Sequence, residues 1–123
     1  MTTIVIIEDD QVISQMYRMK FESDGFTVHV AGNGKDGVKV VKETNPDLIL
    51  LDMQMPIMSG DEALGEIRKH DWGKDVPVIV LTNLGEEEAP KHLRSLGIES
   101  YIVKADHTPR QVVDRVKTVL KIV

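Results

Sequence analysis

The sequence predicts an α/β fold in which five parallel strands alternate with five helices. Short apolar runs recur along the chain, segments with helical spacing lie between them, and the connections are short. Four of the runs are apolar almost without interruption, as in strands that helices cover on both faces. The strand candidates are "TIVII" (3–7), "TVHVA" (27–31), "LILL" (48–51), "VPVIVL" (76–81) and "SYIVK" (100–104).

Apolar spacing and end signals predict the first two helices. Gly25 stops the first helix, because glycine readily takes the left-handed conformation that follows a helix end. Val38, Val40 and Val41 mark the inner face of the second helix. That helix should end before Pro46, since the residue preceding a proline disfavours the helical conformation. The predicted inward stripe of the first helix is Val12, Ile13, Met16 and Met19.

The remaining three helices carry signals at their N-termini. Ser59 and Glu62 have the spacing of a capping box at the start of the third helix. Three consecutive acids, 86–88, crowd the first turn of the fourth, where the helix dipole favours anions. Thr108 and Pro109 supply an N-cap and a first-turn proline for the fifth. Its predicted buried stripe is Val112, Val113, Val116 and Leu120.

This alternation predicts a doubly wound sheet of the flavodoxin-like kind. Strand–helix–strand crossovers are almost always right-handed, so the strands should be parallel with helices on both faces. A five-stranded sheet of this kind commonly has the order 2-1-3-4-5. The alternating run 27–31 suits a half-exposed edge of that sheet. We therefore predict one domain, residues 1–123, with its functional site outside the carboxyl ends of the strands, near strand 1.

Composition and charge exclude several classes of function. The chain has no cysteine, which excludes disulfides and thiolate metal sites. Twenty acidic residues against 15 basic ones, and only 4% aromatic residues, argue against direct nucleic-acid binding. No apolar run reaches the roughly 20 residues that span a bilayer. The opening "MTTIVIIEDD" also lacks the basic leader of a signal peptide, so no membrane association is expected.

Polar and charged residues stand at the ends of four of the predicted strands: the first, third, fourth and fifth. Parallel strands bring their carboxyl ends to one edge, so we expect these side chains to meet. Carboxylates about 6 Å apart repel by roughly 3 kcal/mol at an effective dielectric near 20, so such a cluster needs cations. Mg²⁺ suits a site with few carboxylates and several waters. The residues are Glu8, Asp9 and Asp10 after strand 1, Asp52 after strand 3, Thr82 at strand 4 and Lys104 at strand 5. Asp10 is more strongly expected to serve the first helix as an N-terminal acid.

The predicted cluster has the chemistry for phosphoryl transfer. Asp52, held beside Mg²⁺, the ammonium of Lys104 and the hydroxyl of Thr82, could attack phosphorus and form an acyl phosphate. Such in-line transfer mainly requires positioning and neutralisation of charge on the equatorial oxygens. This explains chemically why the apolar strand 48–51 is followed by a carboxylate.

Four motifs carry a resemblance to a known family. They are "IIEDD" after strand 1, "LLDMQMPIMSG" around Asp52, "VIVLTN" with Thr82 and "YIVKAD" with Lys104. With these motifs in order, the chain resembles from end to end the response-regulator receiver domain of two-component signalling, of the chemotaxis type with a single receiver. The resemblance implies a phosphorylation-activated switch that catalyses only its own phosphotransfer and slow autodephosphorylation, and not a metabolic enzyme.

The resemblance also implies a role for each residue around the acceptor. Asp52 would accept the phosphoryl group from a phosphohistidine on a sensor histidine kinase or a histidine phosphotransfer protein. Mg²⁺ would be bound by Asp9, by Glu8 mostly through water, by Asp52 and by the backbone carbonyl of Gln54.

A second set of residues would transmit the phosphorylation state. Thr82 is similar to the hydroxyl residue that swings toward the phosphoryl group, and Tyr101, three residues before Lys104, matches the aromatic that changes rotamer with it. Phosphorylation would then be coupled to a surface formed by the fourth helix, fifth strand and fifth helix. That surface would serve a downstream protein or a fused output domain in a cytoplasmic protein. A phosphorylation-linked dimer is left open.

The sequence departs from the family pattern near the site. Ala105 stands where a proline preceded by a cis peptide bond is usual, and a cis bond without proline costs about 3–4 kcal/mol, so this loop is either trans or strained. Asn83 is larger than the usual residue after Thr82. Gln54 and Leu84 flank the expected path of the hydrolytic water and should tune the lifetime of the phosphorylated form. Leu84 cannot orient a water, which favours slow self-dephosphorylation.

Two other classes of function remain open on the sequence. A phosphohydrolase with an aspartyl nucleophile usually has a second acid two residues further on, where this chain has Gln54. A receiver-like interaction module that is never phosphorylated usually lacks an acid, the threonine or the lysine, and none is missing here. The segment "AGNGKDG" (31–37) lacks the spacing of a nucleotide-binding phosphate loop, so we interpret it as a turn with Asn33 near the start of the second helix.

Overall fold

The computed structural model describes residues 2–122 and forms one layered α/β unit. The strands are β1 Thr3–Ile7, β2 Thr27–Ala31, β3 Leu48–Leu51, β4 Val78–Thr82 and β5 Ser100–Val103. The α-helices are α1 Gln11–Ser23, α2 Gly34–Thr44, α3 Gly60–Arg68 and α4 Pro109–Leu120. Three 3₁₀ segments complete the described part: Glu86–Glu88, Lys91–Leu96 and Lys104–Asp106.

The five strands are parallel and lie in the order 2-1-3-4-5, which confirms the predicted fold class and the predicted edge position of β2. Ile7 lies opposite both Ala31 and Leu51, so β1 and β3 end at the same level. Thr82 at the end of β4 lies opposite Val103 at the end of β5. The residues that follow these strands therefore emerge at one edge of the sheet.

The sheet divides the core into two apolar layers. Alternate strand residues such as Ile4 and Leu50 pack with α1 and α4 on one face, and Val5 and Leu51 pack with α2 and α3 on the other. Both sets are buried, because each strand has helices above and below it. The predicted fifth helix is α4, and its stripe of Val112, Val113 and Val116 is buried as expected.

The predicted helix ends are largely confirmed. The Asp10 carboxylate accepts from the backbone N–H groups of Val12 and Ile13 at 2.9 and 3.1 Å and caps α1. Asn33 caps α2 in the same way. The predicted capping box at the start of α3 is present, and Thr108 and Gln111 exchange hydrogen bonds at the start of α4. Asparagine, aspartate, serine and threonine are favoured at these positions because their oxygens satisfy free N–H groups.

The predicted inward stripe of α1 is confirmed for Ile13 and Met16, which are partly buried against the core, and wrong for Val12 and Met19. Val12 is 81% exposed and Met19 is 69% exposed. The helix instead buries Ser14, Tyr17 and Phe21, and the Phe21 ring meets Phe26 edge-on with centroids 5.3 Å apart. The buried face of α1 is thus turned toward Tyr17 and Phe21, because aromatic side chains have large apolar areas to bury.

The predicted fourth α-helix is also wrong. Its place is taken by the two 3₁₀ segments, Glu86–Glu88 and Lys91–Leu96, with Ala89 extended between them at φ −67° and ψ 150°. Pro90 explains the break, because proline removes an N–H donor and disfavours the helical conformation of the preceding residue.

Arg68 at the end of α3 connects three parts of the chain. Its guanidinium donates to the carbonyls of Gly73 and Val76, both at 2.8 Å, in the connection to β4. It also donates to the carbonyls of Leu96 and Gly97, both at 2.7 Å, just before β5. Arginine can satisfy four acceptors because its five donors form a rigid fork. Arg68 therefore holds the segments that enter β4 and β5 against α3.

Candidate functional site

The carboxyl edge of the sheet gathers three acids and one lysine. Glu8 and Asp9 follow β1, Asp52 follows β3, and Lys104 follows β5. The Lys104 ammonium contacts the Glu8 carboxylate and lies 3.5 Å from Oδ2 of Asp52. Residues almost a hundred positions apart thus meet in one pocket, because parallel strands end together there.

The three carboxylates fit a small divalent cation. One oxygen each from Glu8, Asp9 and Asp52 lies within 4.8 Å of the other two. Glu8 and Asp52 are only 5% and 6% exposed, whereas Asp9 is exposed to solvent. Hard oxygen ligands at this separation, with one face open to water, match the coordination that Mg²⁺ prefers. The donor set therefore fits the ion predicted from the sequence.

Burial opposes ionisation of the Glu8 carboxyl group. Desolvation raises the pKa of Glu8 to about 7, the contact with Lys104 opposes this rise, and the nearby Asp52 charge adds to it. The Asp10 backbone N–H donates to Glu8 Oε2 at 3.1 Å and also favours the ionised form. The single positive charge of Lys104 therefore does not fully offset the effect of burial and of Asp52 on the pKa of Glu8.

Asp52 is held by backbone contacts on both sides. The Gln54 N–H donates to Oδ1 of Asp52 at 3.2 Å, and the Asp52 N–H donates to the Ile7 carbonyl at 3.0 Å. A Cβ at Gly60 would lie 2.1 Å from the Asp52 carbonyl oxygen, so only glycine lets α3 begin this close to Asp52. The position of the Asp52 carboxylate is therefore fixed by contacts with β1, with Gln54 and with the start of α3.

Thr82 and Tyr101 are linked through Leu84. The Leu84 N–H donates to the Thr82 hydroxyl oxygen at 3.3 Å, and the Tyr101 hydroxyl donates to the Leu84 carbonyl at 2.8 Å. Thr82 is fully buried at the end of β4. Burial, and next the Asp52 charge, raises the pKa of Tyr101. The two predicted switch residues are therefore joined through the backbone of a single residue.

The backbone is ordinary at Ala105, one of the positions where the sequence departs from the family pattern. No peptide bond within residues 2–122 is cis, so the Lys104–Ala105 bond is trans and Ala105 lies inside a 3₁₀ turn. Gln54 and Asn83 are exposed beside the pocket. Leu84 is half-buried and packs against the apolar layer under α2 and α3.

Sequence reasoning missed Tyr17. With Glu8 and Asp52 it lines a small cavity beneath the acids. Only the correct phase of α1 could have indicated it, because Tyr17 lies seven residues after Asp10 and belongs to none of the motifs. Within the described residues, no helix is long and apolar enough to cross a membrane.

A 2-1-3-4-5 parallel sheet with clustered acids and a lysine at its carboxyl edge defines the receiver class of signalling domains. The chain belongs to the response regulator receiver domain family, whose family model matches residues 4–117.

Relatives of known name support this membership. The transcriptional regulatory protein SrrA of Staphylococcus aureus is 36% identical over 118 residues, which cover 96% of this chain and 47% of SrrA. This chain thus spans about half the length of the curated relatives it matches.

Solved structures share the fold. Chemotaxis protein CheY4 of Vibrio cholerae superposes with a TM-score of 0.88 at 24% identity, covering 97% of this chain and 98% of that one. TrrA of Thermotoga maritima, crystallised as a complex with Mg²⁺ and BeF, superposes with a TM-score of 0.83 at 29% identity, covering 96% of this chain and 98% of TrrA.

Proposed function

We propose that the whole chain, residues 1–123, is one receiver domain that acts as a phosphorylation-activated switch. It accepts a phosphoryl group on Asp52 from a phosphohistidine of a sensor histidine kinase or a histidine phosphotransfer protein. The observation that carries this proposal is the position of Asp52: its buried carboxylate lies 3.5 Å from the Lys104 ammonium, in a cluster with two further acids.

The proposed step is an in-line displacement at phosphorus. An oxygen of Asp52 forms a bond to phosphorus while the bond from phosphorus to the donor imidazole nitrogen breaks, and the leaving imidazole takes up a proton. Lys104 neutralises charge on the transferred group, and the Thr82 hydroxyl donates to one of its oxygens. The chain thus catalyses its own phosphorylation and its slow reversal by water.

Mg²⁺ is the proposed cofactor. Glu8, Asp9 and Asp52, together with the backbone carbonyl of Gln54, would hold the ion. When bound, the ion supplies positive charge beside the phosphoryl oxygens. The TrrA complex with Mg²⁺ and BeF supports this assignment by analogy.

The phosphorylation state would be communicated to a partner through one surface, formed by residues 86–96, β5 and α4 and here called the signalling face. Movement of Thr82 toward the phosphoryl group would break its contact with the Leu84 N–H and thereby disturb the Tyr101 hydrogen bond to Leu84. The 3₁₀ segment Glu86–Glu88 has no buried side chain and can reorganise at low cost, whereas Lys91–Leu96 is anchored by buried Leu93 and by the Arg68 contact with the Leu96 carbonyl.

The partners are proposals that rest on family membership. We expect either a separate downstream protein or a fused output domain to bind the signalling face in the cytoplasm. A phosphorylation-linked dimer through the same face is a further option. Direct binding to nucleic acid or to a membrane is not expected from this domain.

Treatment with acetyl phosphate tests the proposed function. In the presence of Mg²⁺ the intact mass should increase by one phosphoryl group, and chelation of Mg²⁺ should prevent the increase, because the charge in the pocket is then uncompensated. Continuous release of phosphate from phosphomonoesters would support a phosphohydrolase instead. No increase in mass at any Mg²⁺ concentration would indicate an interaction module that is never phosphorylated.

Leu84→Glu should shorten the lifetime of the phosphorylated protein. Leu84 offers no hydrogen-bonding side chain near the pocket, whereas a glutamate there could orient the attacking water. The decay of the phosphorylated mass after removal of acetyl phosphate measures this effect, with the parent protein as reference. Equal decay rates in the two proteins would contradict the role of Leu84.

A further inference from the structure

The loop that follows Asp52, residues 53–59 and here called the acceptor loop, is closed at its base. The Gly60 N–H donates to the Met53 carbonyl at 3.0 Å, so the two ends of the loop are bonded to each other. Gln54, whose carbonyl is a proposed ligand of Mg²⁺, lies in the first part of this loop. A compact loop with joined ends has little internal freedom, so the position of its tip bears on the position of that carbonyl.

The tip of the acceptor loop has a backbone conformation that its sequence does not favour. Ile57 has a φ of 68°, in the left-handed region, and its side chain is 77% exposed. A β-branched residue rarely adopts this region, and such strain persists only where surrounding contacts impose it. The Met58 N–H donates to the Pro56 carbonyl at 2.7 Å across the tip. Because the Ile57 side chain is exposed, backbone contacts must hold this conformation.

Gly34, the first residue of α2, holds the tip from outside the acceptor loop. Its N–H donates to the Met58 carbonyl at 3.2 Å. This contact satisfies one of the N–H groups that a helix leaves free at its N-terminus. A Cβ at position 34 would lie 2.4 Å from the Met58 carbonyl oxygen and 2.9 Å from the Met58 Cβ. Any side chain at position 34 would therefore push the tip of the loop away from α2.

We propose that Gly34 is a positioning residue for the Mg²⁺ site: its contact with Met58 holds the acceptor loop in the strained conformation in which the Gln54 carbonyl serves as a ligand. The contact involves no acidic side chain of the pocket, so it acts through the loop alone. Groups that hold a metal ligand in place commonly change metal affinity when they are altered. The inference rests on the proposed function, in which this carbonyl binds Mg²⁺.

Close packing alone makes a different prediction, and a second glycine provides the comparison. Gly73 lies in the connection that enters the amino end of β4, at the edge of the sheet opposite the acids. A Cβ there would lie 2.4 Å from the Ile67 carbonyl oxygen, the same separation as between a Cβ at position 34 and the Met58 oxygen. Gly73→Ala therefore introduces a matched clash remote from the acceptor loop. Gly32→Ala, where a Cβ would meet nothing within 4 Å, controls for the added methyl group.

Titration with Mg²⁺ followed by amide NMR signals, together with metal-free melting curves, tests the inference on the parent and these three variants. Gly34→Ala should weaken Mg²⁺ binding about three- to tenfold, less than the loss of a direct outer partner because the loop backbone intervenes. Gly73→Ala should lower the melting temperature by a similar amount to Gly34→Ala and yet bind Mg²⁺ like the parent. Gly32→Ala should match the parent in both measurements.

A second pair of variants changes the same loop without changing α2, and it decides the question if Gly34→Ala does not fold. Ile57→Pro fixes φ at about −65°, which is incompatible with the left-handed conformation. It removes no hydrogen bond found within residues 2–122, since the Ile57 N–H donates none there. Ile57→Pro should weaken Mg²⁺ binding as Gly34→Ala does. Ile57→Gly, which adopts the left-handed conformation freely, should keep the parent affinity.

Two results would overturn the inference and leave the metal site intact. One is a Mg²⁺ affinity of Gly34→Ala indistinguishable from that of Gly73→Ala, which would assign Gly34 to packing. The other is a parent-like Mg²⁺ affinity of Ile57→Pro, which would show that the conformation of the tip does not matter to the ion. Failure of the parent itself to bind Mg²⁺ would instead remove the proposed metal site, and this inference with it.

Discussion

Asp52→Asn should raise the free energy of unfolding of the metal-free protein by about 1–2 kcal/mol. Lys104 is already paired with Glu8, so its charge compensates Asp52 only in part. Removing the buried Asp52 charge relieves its desolvation and its repulsion by Glu8 and Asp9, and these gains should exceed the lost attraction to Lys104. The comparison is made at pH 8, where Glu8, with a pKa of about 7, is mostly ionised. Thermal unfolding should then give Asp52→Asn a melting temperature several degrees above that of the parent.

The same substitution should shrink the stabilisation by Mg²⁺. A ligand that binds only the folded state stabilises it by RT ln(1 + [Mg²⁺]/Kd), so the loss of one ligand oxygen lowers the gain at fixed Mg²⁺. Melting curves with and without Mg²⁺, for the parent and for Asp52→Asn, measure both effects together. If neither the metal-free melting temperature nor the Mg²⁺ gain changed, the acids would not be clustered.

Arg68→Met should lower the free energy of unfolding by about 3–5 kcal/mol. The substitution keeps an unbranched apolar stem but leaves the carbonyls of Gly73, Val76, Leu96 and Gly97 without their donor. Hydrogen bonds from a charged donor contribute about 1.5–3 kcal/mol each, and solvent access to this partly exposed group reduces their sum. Arg68→Lys should recover only part of the loss, because a single ammonium cannot reach all four acceptors.

Denaturant unfolding with a matched surface variant measures the effect of Arg68. Arg18 on α1 pairs with Glu22 at 3.4 Å, and both side chains are more than 40% exposed. Arg18→Met should therefore cost less than about 1 kcal/mol. Equal losses from Arg18→Met and Arg68→Met would mean that the four carbonyl contacts do not stabilise the fold.

Local patterns in the sequence predicted the parts of the fold that short-range chemistry decides. The bounds of β1, β2 and β3 agree with the predicted runs. An uninterrupted apolar run, as in β1 and β3, has few alternatives to a covered parallel strand, and the alternation in β2 is typical of a half-exposed edge strand. The caps of α1 and α2 agree because an aspartate or asparagine bonds N–H groups only two or three residues away. The acidic edge followed from the strand order alone.

Features that depend on tertiary contacts could not be predicted in this way. Both Val12 with Met19 and Tyr17 with Phe21 fit a helical stripe, and only the docking of α1 on the sheet selects the second set. Pro90 could have indicated the broken fourth helix, but the three preceding acids gave a competing helix-start signal. Arg68 contacts carbonyls up to 29 residues away, and no local pattern encodes such partners.

Mapping of the modified residue after acetyl phosphate treatment tests most directly whether this pocket makes Asp52 the acceptor. Peptide mass spectrometry of the Mg²⁺-treated parent should locate one phosphoryl group on the peptide that contains Asp52, and Asp52→Asn should remain unmodified under the same conditions. A phosphoryl group on any other residue of the parent, or undiminished labelling of Asp52→Asn, would contradict the account.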